Sequence, residues 1–159
     1  MTFSDPLVDF VRAWEGLKLT PSADPLVPGI VDVGYGHVIR PGEQRRRITA
    51  EEAVMLLEWD LNITAAGVDS LVKVRLAQCQ FDELVAFAFN VGLDIDDDPI
   101  AEGLGDSTLL KRVNEGAFEA ASAQFTLWCH ANGHVVRGLE NRRIAEQAMW
   151  SHGDYTGRP

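Results

Sequence analysis

The chain has 159 residues, a formal net charge of -10 and an ordinary globular composition, 46% hydrophobic and 24% charged. One domain with a real core fits that length, and the acidic balance excludes a basic nucleic-acid face and long-range attraction to an anionic membrane. No apolar run nears the roughly 20 residues of a membrane span, and the first residues lack the basic and apolar parts of a secretory leader.

Residues 5–15 predict an amphipathic helix. Ser4 or Asp5 caps it and Pro6 suits its first position. Leu7, Phe10, Val11 and Trp14 recur at helical spacing, and Gly16 stops it. Glu15 therefore ends a helix, beside unsatisfied carbonyls that disfavour its anion. Over 17–40, prolines and glycines interrupt Ile30, Val31 and Val33, which favour extended backbone. A small antiparallel region of two or three short strands is expected there, with Gly34 and Gly36 at a bulge or tight bend.

Thr49-Ala50-Glu51-Glu52 is a capping box. It opens a long linking helix whose pattern runs to Val72 and weakens near 62–64. Residues 77–91 are apolar on more than one face, which predicts a buried helix. The acidic stretch 93–105, with Asp94, Asp96, Asp97 and Asp98, lacks the glycine and glutamate that an EF-hand loop needs and reads as a surface loop. Three more helices are expected: one over 107–115, capped by Asp106 or Ser107; one over 117–131, with Phe118, Ala121, Phe125 and Trp128 inward; and one over 139–150. The tail, 151–159, contains Gly and Pro and is expected to pack poorly. Cys79 and Cys129 sit among apolar neighbours and read as reduced core thiols.

The chemistry concentrates between Trp14 and His37. Glycoside hydrolysis needs a protonated carboxylic acid and a second carboxylate whose surroundings push their acidities apart. Glu15, at a helix end beside Trp14, is the better proton donor. Asp24, in a loop, is the better anion. Pairing alone is weak evidence, because most acidic side chains are simply solvated.

Glu15-Gly16, then Asp24, then a short apolar run ending Gly34-Tyr35-Gly36-His37 resembles the phage-type lysozymes, or endolysins, of glycoside hydrolase family 24. The capped segment Ile48 to Ala53, the run Gln80 to Gly92, Ser107-Thr108-Leu109-Leu110 and Gly138 to Arg143 match further blocks of that family in the same order. The likeness covers about 7–150. It implies Glu15 as general acid and, after eight intervening residues, Asp24 as second carboxylate. The family's third position is a Thr five residues beyond that Asp, where this chain has Ile30. Alignment on the Gly-Tyr-Gly-His step instead puts Asp32 there, with two extra residues in the turn. Asp32 would bring a third negative charge to the cleft, strengthening Glu15 as an acid or replacing Asp24 as the working carboxylate.

The resemblance thus implies an α+β, mainly α, lysozyme-like two-lobed fold with a small antiparallel β region in the N-terminal lobe. A single catalytic domain spans 1–159, with a β-containing part at 17–47, a linking helix at 49–72 and a helical lobe at 77–150. The expected activity is cleavage of the β-1,4 bond between N-acetylmuramic acid and N-acetylglucosamine in bacterial peptidoglycan. The alternatives are a lytic transglycosylase on the same fold and an inactive wall-binding or protein-interaction module. Glu15, Asp24 and Asp32 are the expected catalytic residues, and Tyr35 and Asn90 the expected substrate contacts. His37 is expected to tie the small sheet to a neighbouring helix. Arg142 or Arg143 either reaches back to Glu15 or stays solvated. Trp59 and Trp128, at helical spacing, are expected in the core rather than on a sugar. No cysteine–histidine cluster has zinc spacing, so no metal or cofactor is expected. The chain is expected to be monomeric, outside any membrane, and held in the bacterial host cytoplasm until released to the cell wall.

Overall fold

The computed structural model describes residues 1–23, 29–95, 103–131 and 133–159. Its first helix, α1 (Asp5–Glu15), buries Leu7, Phe10 and Val11 and ends at Gly16, whose φ of 68° is a left-handed value that glycine adopts without strain. Ser4 occupies the N-cap position, but its hydroxyl donates to Asp82 at 2.5 Å instead of capping the helix.

Strands β1 (Lys18–Ala23), β2 (Val31–Gly34) and β3 (His37–Val38) form a three-stranded antiparallel sheet in chain order. Ser22 faces Asp32 and Asp32 faces Val38, while Val33 faces His37. The register shifts between Lys18 and Ser22, so the irregularity sits in β1. Gly34 and Gly36, at φ 70° and 89°, instead make the tight turn between β2 and β3. A side chain on Gly34 would meet Ala53 at 3.4 Å, which is how closely the sheet lies on the next helix.

That helix, α2 (Ala50–Leu71), is unbroken. Thr49 and Glu52 cap it reciprocally, with Glu52 N donating to Thr49 Oγ1 at 3.2 Å and Thr49 N donating to Glu52 Oε2 at 2.8 Å. Ala53, Leu57, Leu61, Ala65 and Val68 make its buried seam. One end of α2 packs on the sheet and its body packs on α3 (Gln78–Val91), so it joins the β-containing lobe to the helical one. In α3 every residue from Phe81 to Ala88 is buried, including Asp82 and Glu83.

The helical lobe is completed by α4 (Thr108–Asn114), α5 (Phe118–Ser122) and α6 (Arg137–His152). Ser107 caps α4 by accepting from Leu110 N at 3.0 Å. The single helix expected over 117–131 is corrected. The chain leaves α5 after Ser122, makes a 3-10 turn at Phe125–Leu127, and enters a hairpin of β4 (His130–Ala131) and β5 (His134–Val135). Packing explains the break: the tighter turn still buries Phe125 and sets Trp128 edge-on to Phe87, with ring centroids 5.3 Å apart. The tail is corrected too. Tyr155 packs against the core and donates to the buried Asp82 at 2.6 Å, and a side chain on Gly157 would overlap Ala145. Cys79 and Cys129 are free thiols. Asp96, Asp97 and Asp98 of the acidic stretch lie outside the described residues.

Candidate active site

A cleft of about 330 Å³ opens between the lobes. Glu15 and Gly36 stand on its sheet side with Val38, α2 contributes Asp60, Ile63 and Thr64, and the end of α3 contributes Phe89 and Asn90. Clefts at such junctions, with a few polar groups among apolar walls, are where ligands are usually held.

Glu15 reaches the cleft because it is the last residue of a helix that Gly16 terminates. Its side chain is 20% exposed. Arg142 of α6 donates through Nη1 to Glu15 Oε1 at 2.6 Å. The other oxygen, Oε2, lies 3.9 Å from the position a side chain on Gly36 would occupy, so the turn between β2 and β3 runs close beside it.

Behind Glu15 lies a buried ionic network. Arg142 also donates through Nε to Glu146 Oε1 at 3.0 Å, and Arg143 donates through Nη2 to the same oxygen at 2.9 Å and to Asn90 Oδ1 at 2.7 Å. The Arg143 guanidinium sits 5.0 Å from the centre of the Phe87 ring. Burial works against the charge of Arg142, but Glu15 and Glu146 outweigh it and hold that guanidinium above its usual range. Arg143 goes the other way, lowered by burial despite Glu146.

Glu83, from α3, is fully buried beside this network, and neither of its oxygens has a hydrogen-bond partner. Burial, reinforced by the charge of Glu146, pushes its carboxyl well above the usual range against the pull of Arg143 and Arg142. The sense of the shift follows from counting charges. Two guanidiniums already face Glu15 and Glu146, so a third carboxylate would be an uncompensated charge in a medium that penalises it heavily. Burial raises Glu146 as well, opposed by Arg143 and Arg142.

The expected site residues separate. Glu15 and Asn90 both line the cleft. Asp32 does not line it: its Oδ1 and Oδ2 accept from Lys18 Nζ at 2.9 and 2.7 Å, and Oδ1 also accepts from Ser22 Oγ at 3.1 Å. The extra negative charge is thus matched by a lysine of the same sheet. Tyr35, expected at the substrate, is 6% exposed, with its hydroxyl accepting from Arg12 Nε at 3.1 Å and the Arg12 guanidinium over its ring. It packs the turn onto α1. Asp24 lies outside the described residues.

His37 does tie the sheet to α2, with Nδ1 2.7 Å from Asp60 Oδ2, and its Nε2 is 3.2 Å from Glu43 Oε2. Of the two arginines, Arg142 reaches Glu15. The sequence reading missed Glu146 and Glu83. Glu146 had a signal: Arg142 and Arg143 stand four and three residues before it, on one helical face. Glu83 had a weaker one, a carboxylate inside an apolar helix. Among the described residues no group of three or more His, Cys, Asp or Glu is placed to hold a metal ion. No helix among them is long and apolar enough to cross a membrane.

The phage lysozyme family profile matches residues 12–146. The chain is 35% identical over 153 residues to the endolysin of Bacillus phage PZA, which covers 96% of this chain and 56% of that protein. It is 35% identical over 137 residues to the SAR-endolysin of Escherichia phage Mu, covering 86% of this chain and 74% of that one. The chain therefore spans only about half the length of the Bacillus phage relative. Among solved structures, the muramidase domain of SpmX from Asticaccaulis excentricus superposes with a TM-score of 0.81 at 34% identity, over 94% of this chain and 97% of that one. The endolysin from Escherichia coli O157:H7 phage FAHEc1 superposes with a TM-score of 0.80 at 31% identity, over 98% and 96%.

Proposed function

We propose that this chain, which belongs to the phage lysozyme family, is a single catalytic domain that hydrolyses the β-1,4 bond between N-acetylmuramic acid and N-acetylglucosamine in bacterial peptidoglycan. The observation that carries this reading is the placement of Glu15 in the lining of an open interlobe cleft, with one oxygen held by Arg142. The names of the relatives, endolysins and a muramidase domain, support the same substrate.

In the reaction, Glu15 Oε2 gives its proton to the glycosidic oxygen as the bond breaks. Negative charge then develops on a carboxylate already hydrogen-bonded to a buried guanidinium, so the product of proton transfer is stabilised where it forms. Asp24 is assigned the role of second carboxylate, stabilising the positive charge that grows at the anomeric carbon and orienting the attacking water. Asp32 supports the strand that leads to it. No cofactor takes part, and the protein acts as a monomer on the glycan strand.

The test is digestion of purified peptidoglycan by the wild type and by Glu15→Gln. A general acid contributes roughly 10²–10⁴-fold, so the variant should lose at least a hundredfold. Equal clearing by both would remove Glu15 from the mechanism. A second reading, a lytic transglycosylase, is favoured by one observation: the residue aligned with the family's Thr hydroxyl is Asp32, whose oxygens are taken by Lys18 and Ser22. Mass spectrometry of the products decides between them. Reducing-end muramic acid means hydrolysis; an anhydro sugar means the transglycosylase.

A further inference from the structure

Trp59 was expected in the core and is instead 61% exposed on the outer face of α2. Met55, one turn earlier, is 67% exposed, and Ile63, one turn later, is 42% exposed. The spacing i, i+4, i+8 makes these three side chains one continuous stripe. It is not the packing seam of the helix, which runs through Leu57, Leu61 and Ala65. Ile63 belongs to both the stripe and the cleft, where it lines the same cavity as Glu15 and Val38. The stripe therefore runs out of the cleft along α2 and reaches, one helical turn from Ile63, an exposed indole.

We propose that Trp59 is a stacking platform for a sugar unit of the glycan strand remote from the bond being cut. This rests on reading the cleft as a glycan site and deepens it. The occupant is set by chemistry. A pyranose ring presents a face of C–H groups, which an indole covers, and a rim of hydroxyls, which need polar partners. Asp60, next to Trp59 in sequence, and Arg40 both line the cleft, with Arg40 Nη2 3.9 Å from Asp60 Oδ1, and offer such partners on the cleft side of the stripe. One turn of helix, roughly 5–6 Å between side-chain bases, is comparable with the length of one sugar unit in a β-1,4 chain. An anionic membrane is a poor fit, because exposed Glu51 and Glu58 flank the stripe on a chain of net charge -10. Large exposed apolar side chains in a row on a soluble surface commonly mark a ligand groove.

The experiment measures affinity of the Glu15→Gln protein for peptide-free glycan strands of graded length by titration calorimetry. Turnover of the wild type on the same strands is followed in parallel. Affinity is expected to rise with strand length. Adding Trp59→Ala should flatten that rise, lowering affinity for long strands roughly tenfold, the scale of one lost apolar subsite contact. Trp59→Phe should restore most of it, which a change in helix packing would not produce. If Trp59→Ala leaves every strand length unaffected, or no strand binds at all, the platform is overturned. If it instead changes only the sedimentation of the protein, the stripe joins copies of the chain and the platform is again overturned. If the wild type does not cut but the length dependence is present and lost with Trp59, the hydrolase reading fails and the platform stands.

Discussion

Glu15 and Arg142, separated by 127 positions in the chain, meet in a 2.6 Å hydrogen-bonded ion pair at the back of the cleft. The same guanidinium holds Glu146 with its Nε. Arg142 is therefore the link between the candidate proton donor and the core of the helical lobe. Its planar fork matters as much as its charge, since a lysine ammonium is a compact point charge on a flexible stem and lacks the rigid, spread donors that hold both carboxylates in fixed positions.

Arg142→Ala should destabilise the protein by about 3–5 kcal/mol, the cost of leaving buried carboxylates without their cation. Arg142→Lys should lose less stability but still lose turnover, roughly 10- to 100-fold, because Glu15 is no longer held in one place. Denaturant melts and peptidoglycan turnover separate the two effects. Full activity in Arg142→Lys would mean that the fork has no part in positioning Glu15.

Glu83 predicts a pH dependence of stability. Its folded-state carboxyl is raised well above the ordinary value of 4.5 by burial, so the folded protein binds a proton that the unfolded chain releases near that pH. The stability this proton supports is complete below the ordinary value and falls as pH climbs from there through the folded-state value. Glu83→Gln keeps the shape and cannot ionise. The variant should match the wild type in acid and become the more stable of the two as pH rises towards neutrality. A constant difference between the two from pH 4 to 8 would mean that the Glu83 carboxyl titrates alike in the folded and unfolded chains, with no shift from burial.

Asp82 has a different solution to burial. It accepts from Ser4 N and Oγ, Gln78 Nε2 and the Tyr155 hydroxyl, tying α1, α3 and the tail to one carboxylate. Tyr155→Phe removes one of these donors and should cost about 1.5–3 kcal/mol, the range for hydrogen bonds to charged groups. Ending the chain after His152 should cost more, since Gly157 also packs on Ala145. An unchanged melting temperature on truncation would show the tail to be dispensable.

Asp24→Asn and Asp32→Asn distinguish the two candidates for the second carboxylate. Asp32 has both oxygens engaged by Lys18 and Ser22, so its variant is expected to keep activity within about tenfold while losing up to about 1 kcal/mol of stability, as for a partly exposed ion pair. Asp24→Asn should cost about 100-fold or more in turnover, on the scale of a lost catalytic carboxylate. The reverse ranking in a turnover assay would move the role to Asp32.

Local signals carried most of the fold. The stripe of α1, the capping box at Thr49 and the apolar run of α3 each state their structure within a few residues. The 117–131 segment misled because Phe118, Ala121, Phe125 and Trp128 point inward whether the backbone continues as a helix or tightens into a 3-10 turn. Periodicity records which side chains are buried, not the path between them. Trp59 misled for a related reason: its spacing is helical, but its phase is opposite to that of Leu57 and Leu61. In the site, Glu15 was legible from its place before Gly16. Which of two adjacent arginines reaches it depends on the phase of α6, and two of the partners of Asp82, Ser4 and Tyr155, lie 78 and 73 positions away. Neither is written in any single stretch of sequence.

Because the guanidinium that grips Glu15 is supplied by α6, 127 positions further along the chain, the candidate proton donor is anchored only once the helical lobe has closed against α1. A fragment cut before α6 would display the glutamate without its anchor. Assembly of the site thus reports on the docking of one helix.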